Sequence, residues 1–266
     1  MKMLLDTQSV VLIEGIPFAK LRMKEVVDLI IRQHSQGYGG WIVTPNVDIL
    51  HRLVTDTSFR ALVSSESTLF TADGAPIVWL SRMLGTPLPE RVTGSDIFVE
   101  LVSKAAQNGK SIFLLGGNPG VAEIAADILQ QMHPALCIAG CYAPPFGFEG
   151  NLEEIAKIRN FMATTRPDII FVGLGSPKQE KVIAMMRELL PASWWLGIGV
   201  SFSFVAGDVK RAPVWMRKVG LEWFYRVMQE PKRLFKRYFL INIPFALRLF
   251  GRNLIKRMEL SYNNRK

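Results

Sequence analysis

The chain has only two cysteines and three histidines in 266 residues. Cys137 and Cys141 lie four apart in what reads as one strand. At about 3.3 Å per residue their Cα atoms stand roughly 13 Å apart, too far for a disulfide. A reducing, cytoplasmic setting is therefore expected. His34, His51 and His133 are scattered, with no cysteine or carboxylate at ligand spacing, which argues against a zinc site. An Asp-x-Asp pair that would hold a metal–diphosphate complex is also missing. The N-terminus, MKMLLDTQSV, reaches Asp6 before an apolar leader core could form, so no secretory signal is expected.

Long apolar runs are scarce as well. One long uncharged stretch, 189–207, approaches the length of a membrane span but contains Pro191, three serines and three glycines. It reads as a buried strand followed by a loop. Positive charge is nearly absent from most of the chain as a surplus: residues 1–207 carry 17 Lys/Arg against 19 Asp/Glu, a net of −2. Residues 208–266 carry 15 against 4, a net of +11. The division predicts a near-neutral body, 1–207, and a basic appendage, 208–266, suited to an anionic surface or ligand.

What is present is a regular alternation. Short apolar runs at 10–15, 40–43, 69–72, 111–115, 136–142, 168–172 and 194–199 read as strands. Amphipathic or well-capped stretches at 22–36, after Asn46, after Gly74, up to about Asn108, after Gly117, at 152–165 and at 177–188 read as helices. This spacing predicts an α/β fold: a Rossmann-like, mostly parallel sheet with helices on both faces. Such sheets build sites where strands give way to helices. Thr44-Pro45-Asn46 and Asp73-Gly74 stand at two such ends, with Asn46 able to cap the next helix.

The stretch 169–181, IIFVGLGSPKQEK, has the same design in its fullest form. A strand breaks at Gly173 and Gly175; Ser176 is placed to cap a helix, Pro177 to open it and Gln179 to close a capping box. Gly116-Gly117-Asn118-Pro119 repeats the logic, with Asn118 as cap and Pro119 as first helical residue. A strand, a glycine turn and a free helix N-terminus make an anion-binding corner, although an ordinary βα turn has the same ingredients. Two familiar phosphate motifs fail. Gly109-Lys110-Ser111 has Lys104 where a P-loop needs its first glycine and precedes a strand instead of following one. GGNPG is not G-x-G-x-x-G, which argues against a nicotinamide enzyme.

Beyond Arg211-Ala212-Pro213 the character changes. A helix over 221–228 is broken by Pro231, and a basic, aromatic stretch follows. Arg248, Arg252 and Lys256 recur on one face; Leu247, Phe250, Leu254 and Met258 recur on another. That pattern fits a helix lying on an anionic membrane, or one docked on its own body or on a second subunit.

TPNVDIL at 44–50, ADG at 72–74, RVTGSD at 91–96, FLLGG at 113–117, GLGSPKQE at 173–180, GDVKRAP at 207–213 and GLEWFYR at 220–226 together resemble the WecG/TagA/CpsF family, glycosyltransferase family 26. The blocks are collinear over roughly residues 10–237, and ADGAPIVW with LPERVTGSD look closest to the exopolysaccharide branch, which includes xanthan-type glucosyltransferases. The resemblance implies an inverting, metal-independent transfer from a UDP-sugar to a polyprenyl-diphosphate-linked sugar, with no cofactor, at the cytoplasmic face of a bacterial inner membrane. It puts Asp73 on the base, Thr44 and Asn46 beside it, Arg91 and Gln179 in the polar pocket, and Arg226, Arg233 and Arg237 on the appendage. The diphosphate would rest on Gly116, Gly117, Gly175, Ser176, Pro177 and Lys178 and on those arginines. The family's G-V-G-x-x-F-D-x-x-A-G block departs here: GIGVSFSFVAG has Ser203 at the Asp place, so the grip on the donor base is expected to differ. Two other classes stand beside this expectation: a nucleic-acid-binding protein, prompted by the basic tail, and a non-catalytic membrane scaffold for polysaccharide assembly. A homo-oligomer, with the appendage exchanged between subunits, is also compatible.

Overall fold

A computed structural model describes residues 9–263, with side chains through Ile255. Lys256 and Met258 fall outside those side chains, and residues 1–8, including Asp6, fall outside the described chain.

The alternation predicted from sequence is present. Eight strands form one sheet in the order β1-β2-β4-β3-β8-β7-β5-β6. They are β1 (Val10–Ile13), β2 (Ile16–Ala19), β3 (Gly40–Val43), β4 (Thr68–Phe70), β5 (Ser111–Gly116), β6 (Cys137–Tyr142), β7 (Ile169–Gly173) and β8 (Trp194–Gly197). All neighbours run parallel except β1 and β2. The central strands β3, β7 and β8 are buried at every residue, as a parallel sheet covered on both faces demands.

The first strand is where the sequence misleads. One strand is expected over 10–15, but the chain turns at Glu14 and Gly15, both at positive φ, and returns as β2. Two left-handed residues are what a tight hairpin requires, and glutamate is a poor advertisement for it.

Helices then cover the two faces. α1 (Met23–Ser35), α5 (Gly94–Gln107), α6 (Val121–Met132) and α9 (Ser201–Val205) pack on one side, around Ile30, Phe98, Leu101, Ala122 and Phe202. On the other side lie α2 (Val47–Thr55), α3 (Thr57–Val63), α4 (Ala75–Met83), α7 (Leu152–Thr165) and α8 (Lys178–Met186), around Leu50, Phe59, Leu80, Met162 and Ile183. Both tryptophans of β8 are buried, Trp195 into the second cluster and Trp194 into the first, as alternation in a strand requires. The order in which strands are added to the sheet reverses between β3 and β8, so a crevice opens at the carboxyl ends of the central strands.

After β8 the chain leaves the sheet as α10 (Val214–Lys218), α11 (Glu222–Gln229), α12 (Pro231–Phe235), a π-helical segment (Lys236–Asn242) and α13 (Ile243–Asn263). Pro231 does end one helix, and it also opens the next, where its missing N–H costs nothing. The expected apolar face of the tail is split. Leu249 is buried in the core, with Phe245 and Phe250 packed against the same cluster, and Phe245 meets the His51 ring edge-on at 4.9 Å. Leu247, Leu254 and Ile255 face outward. Arg252 pairs with Glu14 of the β1–β2 turn.

Candidate active site

The site begins with backbone bonds that run past the ends of β3 and β4. Thr71 N–H donates to the Val43 carbonyl and Asp73 N–H to the Pro45 carbonyl, each at 3.0 Å. Asn46 caps α2 through Oδ1, which accepts from Ile49 N–H at 3.0 Å. The 44–46 and 71–74 corners are thus tied side by side. Val92 N–H then donates to the Ala72 carbonyl at 2.8 Å, which brings Arg91 over Asp73. Arg91 Nη1 lies 3.8 Å from Asp73 Oδ1 and 3.5 Å from the Asp73 carbonyl.

Thr44 is buried, and its Oγ1 would sit only 3.1 Å from a Cβ placed on Gly94, the first residue of α5. On that same glycine, the Gly197 carbonyl closing β8 would lie 3.4 Å away. Gln179 lies flat on Gly197: a Cβ there would strike its side-chain amide at 2.5 Å. The structure therefore brings Thr44, Asn46, Asp73, Arg91 and Gln179 to adjoining strand ends of one crevice.

Several sequence expectations about the corners need correcting. Ser176 makes no cap bond, Pro177 precedes the helix, and α8 starts at Lys178. Gln179 does not close a capping box. Its Oε1 accepts from Gly199 N–H at 3.0 Å, and its Nε2 donates to Glu180 Oε1 at 3.0 Å, so it bridges β7–α8 to β8–α9. Burial keeps the neighbouring Glu180 carboxyl above the usual range. Lys178 turns to the loop before α7, pairing with Glu149 at 2.6 Å and lying over the Phe146 ring. The Asn118 and Pro119 roles also shift: α6 starts at Val121, after a left-handed Gly120. Gly117 N–H donates to the Gly173 carbonyl at 2.9 Å, which joins the two glycine corners, 116–117 and 173–175. α9 lays the Phe202 ring against Gly117 and Gly173, and Ser203 is the next residue of that helix, also buried.

The appendage arginines are distributed differently. Arg226 and Arg233 both pair with Glu230, at 3.6 and 2.5 Å, and Arg233 is 60% exposed. Arg237 reaches α2, 3.7 Å from Asp48. The residues that enter the Asp73 corner from this side are others. Glu222 Oε2 is 3.3 Å from Arg91 Nη1, and Glu222 Oε1 accepts from Arg211 Nε at 3.0 Å. Arg211 Nη1 is 2.8 Å from Asp96 Oδ1, and Arg217 is 3.9 Å from the same oxygen. Glu222, Arg211 and Asp96 all lie in sequence blocks already singled out, but nothing local marks them as partners.

Electrostatics single out Asp73. Its side chain keeps a water-contacting edge, 29% exposed, yet lies deep in the crevice. Desolvation dominates and pushes its pKa up to about 7; Glu222 and Asp96 add to the rise, while Arg91 and Arg211 oppose it. Desolvation is also the largest single influence on Asp96, but its hydrogen bonds to Arg211 and Thr93 and the charges of Arg211 and Arg91 together outweigh it and hold the carboxyl below the usual range. A carboxyl that exchanges its proton near neutrality at a topological switch point is suited to general-base work. A half-open cavity of about 450 Å³ lies at the opposite strand ends, among Gly39, Ser67, Arg187 and Ser193, and has no part in this crevice. Among the described residues, no three His, Cys, Asp or Glu side chains are grouped to hold a metal ion.

A model of the WecG/TagA/CpsF glycosyl transferase family matches residues 11–259, which spans the crevice and the helices after it. The chain belongs to this family. It is 34% identical over 233 residues to N-acetylglucosaminyldiphosphoundecaprenol N-acetyl-beta-D-mannosaminyltransferase of Bacillus subtilis strain 168, covering 87% of each chain. The protein of that name in Bacillus spizizenii strain W23 is 33% identical over 199 residues, 75% of each chain. That of Staphylococcus aureus strain MW2 is 34% identical over 196 residues, covering 73% of this chain and 74% of the relative. These names overturn the leaning toward a xanthan-type branch: the relatives are mannosaminyltransferases. Family membership makes the chain a glycosyltransferase and removes the nucleic-acid-binding and non-catalytic scaffold readings.

Proposed function

We propose that this enzyme transfers an N-acetylhexosaminyl group, of the N-acetylmannosaminyl type, from a UDP-sugar to a polyprenyl-diphosphate-linked N-acetylglucosamine. The observation that carries the reading is Asp73, with its pKa pushed up to about 7 and its carboxyl shared with Arg91 in the crevice. Asp73 takes the proton of the acceptor hydroxyl as that oxygen attacks the anomeric carbon. The C–O bond forms on the face opposite the breaking bond to the diphosphate, so one displacement inverts the centre. Thr44 and Asn46 hold the sugar side and Gln179 shapes the floor. The departing diphosphate needs positive partners, which the N-termini of α6 and α8 and the arginines Arg226, Arg233 and Arg237 can supply without a metal ion. Ser203 replaces a carboxylate at the nucleobase end.

Residues 208–266 act in this proposal as an appendage that closes the site and rests on an anionic membrane surface at the cytoplasmic side. Its support is a set of exposed apolar and basic side chains along the appendage: Trp215, Leu240 and Leu247 are 62%, 63% and 68% exposed, and Lys218, Lys236 and Arg248 are exposed as well. No helix of the described residues is long and apolar enough to cross a membrane. The test is transfer from a panel of UDP-sugars to undecaprenyl-diphosphate-N-acetylglucosamine with EDTA present. Product from UDP-N-acetylmannosamine, with inverted configuration, is expected. Product only from UDP-glucose, or only after metal is restored, overturns the donor or the metal-free assignment.

A further inference from the structure

The Asp73 corner is shared property. One nitrogen, Arg91 Nη1, serves two carboxylates: Glu222 Oε2 at 3.3 Å and Asp73 Oδ1 at 3.8 Å. Glu222 comes from α11, far along the chain, and is itself fixed from behind by Arg211 at 3.0 Å. Arg211 is anchored in turn on Asp96, in the first turn of α5. The side chains of Glu222, Arg211 and Arg91 are 17%, 19% and 21% exposed, so water screens these contacts weakly. We propose that Glu222 is a positioning residue for the reaction: by holding Arg91 between itself and Asp73, it keeps the guanidinium from clamping the base as a carboxylate.

The inference rests on the reading of Asp73 as the base. Its physics is simple competition. A guanidinium freed from Glu222 needs to move only about an ångström to fork onto Asp73, and a bidentate pair of that kind strongly favours the ionised acid. An overstabilised carboxylate is a weak base, because basicity falls with pKa. The groups facing Asp73 are Arg91 and Arg211, which favour its charge, and Glu222 and Asp96, which oppose it. Glu222 is the member of that set carried by α11. The turn before α11 presses on the body: a Cβ on Gly220 would lie 2.6 Å from that of Ala75, the first residue of α4. The basicity of Asp73 thus depends on α11 being docked, so the appendage conditions the chemistry as well as covering it.

The experiment compares wild type with Glu222→Gln, which keeps the shape and one acceptor oxygen but removes the charge. The Asp73 carboxyl is titrated directly by NMR in the full chain, its resonance assigned with Asp73→Asn, and kcat/KM is measured against pH. The expected result is an Asp73 titration moved about one pH unit toward acid, with the acid limb of kcat/KM moving by the same amount. Glu222→Asp, which restores the charge, is expected to return both part of the way. An Asp73 titration that does not move in Glu222→Gln overturns the proposal, whatever happens to the rate. Wild type that titrates as proposed but transfers no sugar sinks the base assignment and leaves the Glu222 effect standing, so the two failures are distinguishable. If Glu222→Gln fails to fold, Glu222→Asp carries the same test with a smaller shift.

Discussion

A base held at a raised pKa weakens the fold that holds it, and Asp73→Asn measures by how much. The folded protein holds the Asp73 proton up to about pH 7, whereas the unfolded chain releases it near 3.8. Between those values the native state binds more protons, so stability falls as pH rises through the window and the full cost is present above pH 7. At about 1.4 kcal/mol per tenfold change in proton affinity, the cost comes to about 4 kcal/mol. The water-contacting edge of the side chain screens part of this, which brings the expected figure to about 2–3 kcal/mol. Asparagine does not ionise and approximates the protonated acid in shape. The variant should therefore lie close to wild type near pH 4.5, where only about a quarter of the cost has developed, and exceed it at pH 8, by about 5–10 °C in melting temperature for a chain of this size. Transfer activity should fall by a factor of about 10² to 10⁴. The assay is thermal unfolding of both proteins at the two pH values, followed by turnover at pH 8. A melting-temperature difference that is the same at both pH values would refute the raised pKa, and undiminished turnover would rule out Asp73 as the base.

Two other outcomes probe the neighbouring parts. Gly197→Ala should displace the Gln179 amide and leave Gly199 N–H without its partner, at a cost of about 1–3 kcal/mol in stability and a much larger proportional loss of kcat/KM; equal activity in a stable variant would remove Gln179 from the site. Leu240→Glu with Leu247→Glu, both on exposed positions, should leave the melting temperature unchanged and abolish co-sedimentation with vesicles rich in anionic lipid; unimpaired sedimentation would refute the membrane role of those side chains.

How much of this could be read from the sequence depended on how local each signal was. The parallel sheet followed from apolar runs such as GWIV and IIFVG, whose lack of alternation already means burial on both faces. Asn46 was legible because a cap acts three residues away. Gln179 was misread for the same reason: its spacing from Ser176 imitates a capping box, while its partner, Gly199 N–H, comes from the next strand–helix turn. The second half of the first hairpin was hidden by Glu14, which takes a left-handed conformation that its chemistry does not announce. On the tail, heptad-like spacing grouped Leu247 with Phe250, but packing against α4 and α2 separates them. Family resemblance supplied Arg91 where spacing could not. Glu222 escaped because a glutamate in the first turn of an amphipathic helix is ordinarily explained by the helix dipole alone.

The charges of the site explain why the chain needs its basic end. In the Asp73 corner three carboxylates, Asp73, Asp96 and Glu222, meet three arginines, Arg91, Arg211 and Arg217. With Asp73 protonated that cluster has about one positive charge to offer, and once Asp73 is ionised it has none. A departing diphosphate therefore cannot be neutralised there. The next arginines are in surplus: Arg226 and Arg233 share the single carboxylate of Glu230, and Arg237 shares Asp48 with Arg52. These pairs are partly solvated and worth little each, so a diphosphate can compete for them at small cost. On this reading the net −2 of residues 1–207 and the +11 of residues 208–266 are two halves of one arrangement. The body supplies a base that must stay weakly charged. The appendage supplies positive charge for both the leaving group and the membrane, and through Glu222 sets the limit on how much of it reaches the base.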